Sequence, residues 1–341
     1  MKTNQHFLNQ STDGQDVYKF CYRNIATYLD FPAENEHLLS NIFLAIINSI
    51  LAVFGTLSNI FVIITYWKSK DPSMKRLSNM IIIALAFSDL LVCAVVQPLF
   101  VIRKGYLEIN GEYNCIISCV VRLTFQFCCG ISFLTATIVN TERYIAITRP
   151  FSYSNWINRP RLKKGIGISW LLYFTFICSR LLVFSDSILL AITTFFMIIF
   201  IGSLLKMWTR IHIVLRKHQK AIRRQQIAIE ENNFISRETK YSYLAYWIIT
   251  CLCCCYTPAL VILLFSFFKG VDFQLYYIIL PWAETLVFFS SSASPVIFSW
   301  REKRFRYALK RMFFGKRSNR ITVSMMSASK DQNNIEMTGR K

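Results

Sequence analysis

The sequence predicts an all-α membrane protein, a bundle of seven transmembrane helices followed by a short amphipathic eighth helix. Three observations carry this. The 341-residue chain is 54% hydrophobic and 15% aromatic, with a mean hydropathy of +0.36, more apolar than soluble domains run. Its apolar residues come in long runs without strand-like alternation, which selects helices over a barrel. The net charge of +20 gathers between those runs and not on one soluble module, which removes nucleic acid as a partner.

Each element follows in chain order. Residues 1–37 form a polar tail with a glycosylation acceptor at Asn9, a motif that chance often supplies. The first apolar run is too long and too far in for a cleaved signal peptide, so it serves as a signal anchor. Span 1 covers 38–67, with Asn59 deep inside; Lys68, Lys70, Lys75 and Arg76 follow it. Span 2 covers 77–101, with Asp89 near its middle and a kink expected at Pro98. Span 3 covers 113–147 and ends on Glu142-Arg143-Tyr144. Span 4 covers 165–184, with Trp170, and span 5 follows almost at once at 187–215. The charged stretch 217–238 is expected to extend spans 5 and 6 into water. Span 6 covers 237–268 with Pro258, and span 7 covers 273–300 with Pro295. Residues 301–314 set Phe305, Leu309, Met312 and Phe313 against basic neighbours, as a helix lying on the membrane surface would. Residues 315–341 are a polar tail.

Lys and Arg cluster after spans 1, 3, 5 and 7, while the opposite loops hold only Arg103, Lys104 and Lys269. The positive-inside rule then puts the N-terminus outside the cell and the C-terminus in the cytoplasm of a multi-pass plasma-membrane protein. Polar residues inside the spans are the next signal. Asn59, Asp89 and Ser132 lie on three spans, and Ser290, Ser291, Ser292 and Ser294 on a fourth. A lone carboxylate in hydrocarbon is costly, so Asp89 faces the bundle interior. Two readings stand: a hydrogen-bonded packing cluster, or a cation or water site whose occupancy differs between two conformations.

With these residues in hand the chain resembles a rhodopsin-like, class A G-protein-coupled receptor over about residues 40–313. The resemblance rests on Gly55 and Asn59, Leu85-Ala86-x-x-Asp89, Glu142-Arg143-Tyr144, Trp170, Cys255-Tyr256-Thr257-Pro258 and Ser294-Pro295-x-x-Phe298. It implies that Arg143 is a switch, paired at rest with Glu142 and with Glu238, which stands twenty residues before Pro258. Breaking the pair swings helix 6 outward and admits a heterotrimeric G protein. It implies a resting-state sodium site at Asp89, Asn59, Ser132, Ser291 and Ser294, and no other cofactor. Arrestin and a receptor kinase are further implied partners, with tail serines such as Ser324 as phosphate acceptors.

Several positions depart from the family. Ser294-Pro295-Val296-Ile297-Phe298 replaces Asn-Pro-x-x-Tyr, and Trp208 replaces the inner helix 5 Tyr, so both of its hydroxyls are missing. Tyr256 replaces the usual Trp, and helix 5 has Phe200 for the usual Pro. The loop between spans 4 and 5 is very short and holds no Cys, so the family's disulfide from helix 3 has no partner there. Either Cys115 or Cys119 pairs with Cys21 of the tail, or these thiols stay free. A loose likeness to the melanocortin, cannabinoid, lysolipid and adenosine branch accompanies these losses.

The ligand is constrained by what is missing. An amine receptor of the family carries an Asp eighteen residues before the switch Arg; here that residue is Phe125. No Lys lies between Phe273 and Ser299 to hold retinal. Arg122, Arg180 and Glu284 are charges near the outer end. One reading makes Arg122 and Glu284 an internal ion pair, or has the charges snorkel to the headgroups. The other is a pocket of Arg122, Phe125, Gln126, Cys129, Tyr256 and Glu284 that receives an anionic group, as in a lipid acid, nucleotide or peptide. No catalytic residue is expected: the four His lie in the tail or at the inner edge, and no metal cage forms. The alternative to a signalling receptor is a receptor-like bundle with weak or absent signalling.

Overall fold

The computed structural model describes residues 38–68, 77–110, 115–182, 186–224, 229–269 and 278–301, nearly all of them helical. The N-terminal tail with Asn9 and Cys21, the surface helix and the C-terminal tail lie outside the described residues, as do the side chains of Cys115, Cys119, Arg180, Glu238 and Phe298. Seven long helices remain. They are α1 (Leu38–Lys68), α2 (Leu77–Asn110 with a π turn at Val92–Val96), α3 (Cys115–Thr148), α4 (Arg159–Leu182), α5 (Asp186–Arg224), α6 (Ile229–Lys269) and α7 (Leu280–Arg301). Five are long and apolar enough by composition alone to cross a membrane. The other two are α4, which opens on Arg159, Arg161, Lys163 and Lys164, and the serine-rich α7.

The π turn has a physical cause. Pro98 has no N–H, and its ring would press on the carbonyl one turn back. The chain widens just before it, and Gln97 N–H bonds back five residues to the Val92 carbonyl. Beyond this turn α2 continues to Asn110, past the expected end at 101. Arg103 and Lys104, read from the sequence as loop residues, are therefore helical, and Lys104 is buried. The α3–α4 connection holds another unanticipated element, a short helix at Pro150–Trp156 with Pro150 in its first turn, where a missing N–H costs nothing. The charged stretch after span 5 is helical on both sides of 225–228, extending α5 and α6.

Helix α3 is the hub and packs against α2, α4, α5, α6 and α7, while α1 closes the ring against α2 and α7. Its interior is one apolar cluster running from Ile81 and Leu85 through Phe133 to Ile249 and Phe288. Outer faces such as Leu171 and Phe195 stay exposed, as lipid-facing surfaces do. Polar bonds tie the helices where small residues let them approach. Asn48 Nδ2 donates to Thr285 Oγ1 at 2.9 Å and Ser292 Oγ to the Leu51 carbonyl at 3.1 Å, joining α1 to α7. A Cβ at Gly55 would fall 2.7 Å from Ser292 Oγ, so glycine sets that approach. Trp170 of α4 donates to Thr135 Oγ1 of α3 at 2.9 Å and stacks on Phe87 of α2.

Tyr173 of α4 reaches across α3 and donates to the Gln126 carbonyl at 3.1 Å, its ring over Gly130 where a Cβ would collide with it. Gly130→Ala is expected to destabilise the purified protein by about 1–3 kcal/mol, read as a lower thermal midpoint. Combining it with Tyr173→Ala is expected to be strongly non-additive, because both changes act on one contact. An unchanged midpoint in Gly130→Ala contradicts this packing.

Candidate functional site

Near the end of the bundle that carries the Lys and Arg clusters, α3 presents Glu142 and Arg143 back to back. Arg143 Nε lies 3.3 Å from Glu142 Oε2, with both side chains buried. The chain then leaves α3 at Arg149 and re-enters helix at Pro150. That turn places Tyr153 beside Glu142, and its hydroxyl donates to Glu142 Oε1 at 2.5 Å. The carboxylate therefore has a partner on each oxygen, as burial demands of a charge. Asn140, one turn before Arg143, is fully buried, and neither amide atom has a hydrogen-bond partner among the described residues.

On the facing helices Trp208 of α5 donates its indole N–H to Thr250 Oγ1 of α6 at 3.0 Å. It also stacks on His212 at 5.4 Å and on Tyr246 at 5.3 Å. The residue standing for the missing tyrosine is thus engaged with α6.

Deeper in, Asp89 is 1% exposed. Ser132 Oγ of α3 donates to Asp89 Oδ1 at 2.5 Å, while Oδ2 has no direct hydrogen bond. Of the other residues expected around this carboxylate, Asn59 turns its Nδ2 to the Gly55 carbonyl at 2.9 Å and the Ser291 carbonyl at 3.3 Å. Ser294 donates to the Ser290 carbonyl at 2.9 Å. The Ser291 and Ser294 hydroxyls stand close to Asp89. The five residues lie together, with one direct hydrogen bond to the carboxylate.

Toward the opposite end, the proposed ligand residues divide. Phe125 meets Phe288 edge-on at 5.6 Å, and Phe288 meets Phe100 at 5.5 Å. Cys129 and Tyr256 are buried, and Tyr256 packs on Phe133 at 4.5 Å. The Gln126 side-chain oxygen is buried without a hydrogen bond. Glu284 lies 3.9 Å from Arg103, whose guanidinium also sits over Phe100. This α2–α7 ion pair was not expected from the sequence, and it arises because α2 extends far enough to carry Arg103 inward.

Sequence reasoning missed Arg103, Tyr153, Thr250, His212 and Tyr246. Pro150 is a helix-start signal that marks the segment holding Tyr153. Nothing local marks Thr250, whose role comes from a residue on another helix.

This arrangement defines a class: a multi-pass membrane bundle with a carboxylate at its centre and a buried Glu-Arg pair at one end. Residues 58–189 match the family model described as 7 transmembrane receptor (rhodopsin family). The D(2) dopamine receptor A of Xenopus laevis is 28% identical over 185 residues, covering 50% of this chain and 40% of that receptor. The D(2)-like dopamine receptor of Takifugu rubripes is 27% identical over 172 residues, 45% of this chain and 36% of the relative. The 5-hydroxytryptamine receptor 7 of Xenopus laevis is 29% identical over 133 residues, 38% and 30% respectively. The chain spans less than half the length of these relatives. Over this stretch the chain is similar to the rhodopsin family of seven-transmembrane receptors.

Removing the Ser132 hydroxyl leaves Asp89 Oδ1 without its donor. Ser132→Ala is expected to destabilise the protein by about 1–3 kcal/mol, read as a thermal midpoint in detergent. In an Asp89→Asn background the same change is expected to cost much less. Equal costs in both backgrounds contradict a Ser132–Asp89 bond.

Proposed function

We propose that the chain is a receptor that passes the binding of an extracellular ligand to heterotrimeric G proteins in the cytoplasm. The observation that carries this reading is the buried Arg143–Glu142 pair, joined by Tyr153, at the basic end. A guanidinium held by a local carboxylate is a bistable element: released, it opens the groove between α3, α5 and α6. A ligand need only favour the open arrangement by its differential affinity for the two states. The positive-inside asymmetry supports an extracellular N-terminus and a cytoplasmic C-terminus in the plasma membrane.

Glu238 is the second acid assigned to Arg143. Tyr144, Pro258, Pro295 and Tyr256 belong to the same switch. Trp208 and Phe298 lack the hydroxyls that the family joins in its active state, so activation here is weaker or differently built. Arrestin and a receptor kinase are the expected partners that follow G-protein release.

The relatives' names speak of dopamine and 5-hydroxytryptamine, yet Phe125 puts an aromatic edge where an amine's carboxylate would be needed. The ligand is therefore non-aminergic and carries an anionic group received at Arg122, with Phe125, Gln126, Cys129 and Glu284 around it. Asp89 and its neighbours hold an allosteric sodium ion in the resting state.

Three measurements test this. G-protein activation in cells expressing Glu238→Ala is expected to exceed that of the wild-type chain without ligand. Silence from both at confirmed surface expression favours a bundle that does not signal. Replacing potassium by sodium is expected to raise the thermal midpoint of the wild-type protein but not of Asp89→Asn; an equal effect on both removes the sodium site. Once an agonist is found, Arg122→Gln is expected to lower its potency about tenfold or more, the worth of one charged hydrogen bond. Unchanged potency rejects Arg122 as the anion's partner.

A further inference from the structure

We propose that Cys251 and Cys255 of α6 form a binding site for one copper(I) ion, a soft monovalent cation held between two sulfurs. The sequence concentrates thiols here. Cys251-Leu252-Cys253-Cys254-Cys255 places four of the eleven cysteines within five residues. Filling space in a helix needs no thiol, whereas sulfur is a favoured ligand for soft metals.

The fold brings two of the four into contact. Cys251 and Cys255 are four residues apart, a spacing that sets side chains one above the other on one helix face. Two histidines of one helix hold a metal by the same spacing. The two Sγ atoms lie 4.0 Å apart. Cys255 is buried in the apolar core and Cys251 is half-buried, so the pair stays open on one side.

This geometry disfavours a disulfide and suits a bridging ion. A disulfide needs its Cβ atoms about 3.5–4.5 Å apart, but residues one helical turn apart hold theirs about 5–6 Å apart. All four thiols are free. With a metal–sulfur length of about 2.3 Å, one ion spans up to about 4.6 Å between two sulfurs. It therefore reaches both across 4.0 Å while the helix keeps its shape.

Coordination number then selects the ion. Zinc needs four ligands, and hard cations need a shell of oxygens. Among the described residues no group of three His, Cys, Asp or Glu is placed to hold a metal. The pair also lies within the apolar segment Tyr246–Phe268, where water cannot complete a shell. Copper(I) is satisfied by two sulfurs alone. One sulfur releases its proton and the other keeps it, so the occupied site is neutral, as hydrocarbon requires. No electron is transferred. The site is independent of any signalling role.

The test is competition for copper(I) between the full chain in phosphatidylcholine nanodiscs and the chromophoric chelator bicinchoninate, under ascorbate. The wild-type chain is expected to withdraw one ion that Cys251→Ser and Cys255→Ser each hold about 100-fold less tightly or weaker still. That factor is the upper end of what changes outside a metal's own ligands cost. Cys251 is half-buried, so serine is tolerated there, and the thermal midpoint without copper checks it. Cys253→Ser with Cys254→Ser is expected to keep the wild-type affinity. X-ray absorption of the loaded wild-type chain is expected to show two sulfur neighbours on copper. Equal copper affinity in the wild-type chain and Cys251→Ser overturns the proposal and leaves the two thiols a packing contact. So does an equal loss in the control pair, or a copper shell of nitrogen and oxygen.

Discussion

A hydrogen-bonding group inside hydrocarbon has no water to turn to, and the protein must supply every partner itself. This constraint explains which residues of α3 matter. The helix carries a serine, a threonine, an asparagine, a glutamate and an arginine into the bundle, and all but one find a partner there. Ser132 answers Asp89 of α2 and Thr135 answers Trp170 of α4. Glu142 and Arg143 answer each other, with Tyr153 completing the carboxylate. Asn140 is the exception, and it lies one turn from the residue on which the proposed switch depends.

The same constraint gives the bundle its two-sidedness. Bonds between α1 and α7 run through Asn48, Asn59 and Ser292 and reach backbone or short hydroxyl groups, which favours close and fixed packing. At the basic end of α5 and α6 the contacts are broader, an aromatic stack of Trp208, His212 and Tyr246 with one indole hydrogen bond. This is the side on which the proposed G-protein groove opens.

Much of this was legible in the sequence, because hydrophobic runs and flanking charges are local signals. Each of the seven long helices overlaps a span expected from those runs, and Asp89 and Ser132 were expected together. The misses have physical causes. The end of α2 looked like a loop because Arg103 and Lys104 are charged, but an ion pair with Glu284 and contact with Phe100 let Arg103 remain helical inside the bundle. The π turn was masked by Pro98, which announces a distortion without saying which kind. Tyr153 and Thr250 act through partners that only folding brings near.

The proposed function requires that the pairing of Arg143 with Glu142 and Tyr153 keeps the proposed cytoplasmic face shut. The most direct measurement is ligand-free guanine-nucleotide exchange by a panel of purified G proteins, catalysed by the wild-type chain and by Glu142→Gln in matched nanodiscs. Glutamine keeps the size of the side chain and an acceptor for Tyr153 while removing the charge that holds Arg143. A rise in exchange on at least one G protein is the predicted result. Equal exchange from two well-folded preparations would contradict the claim and leave the Glu-Arg pair a packing feature.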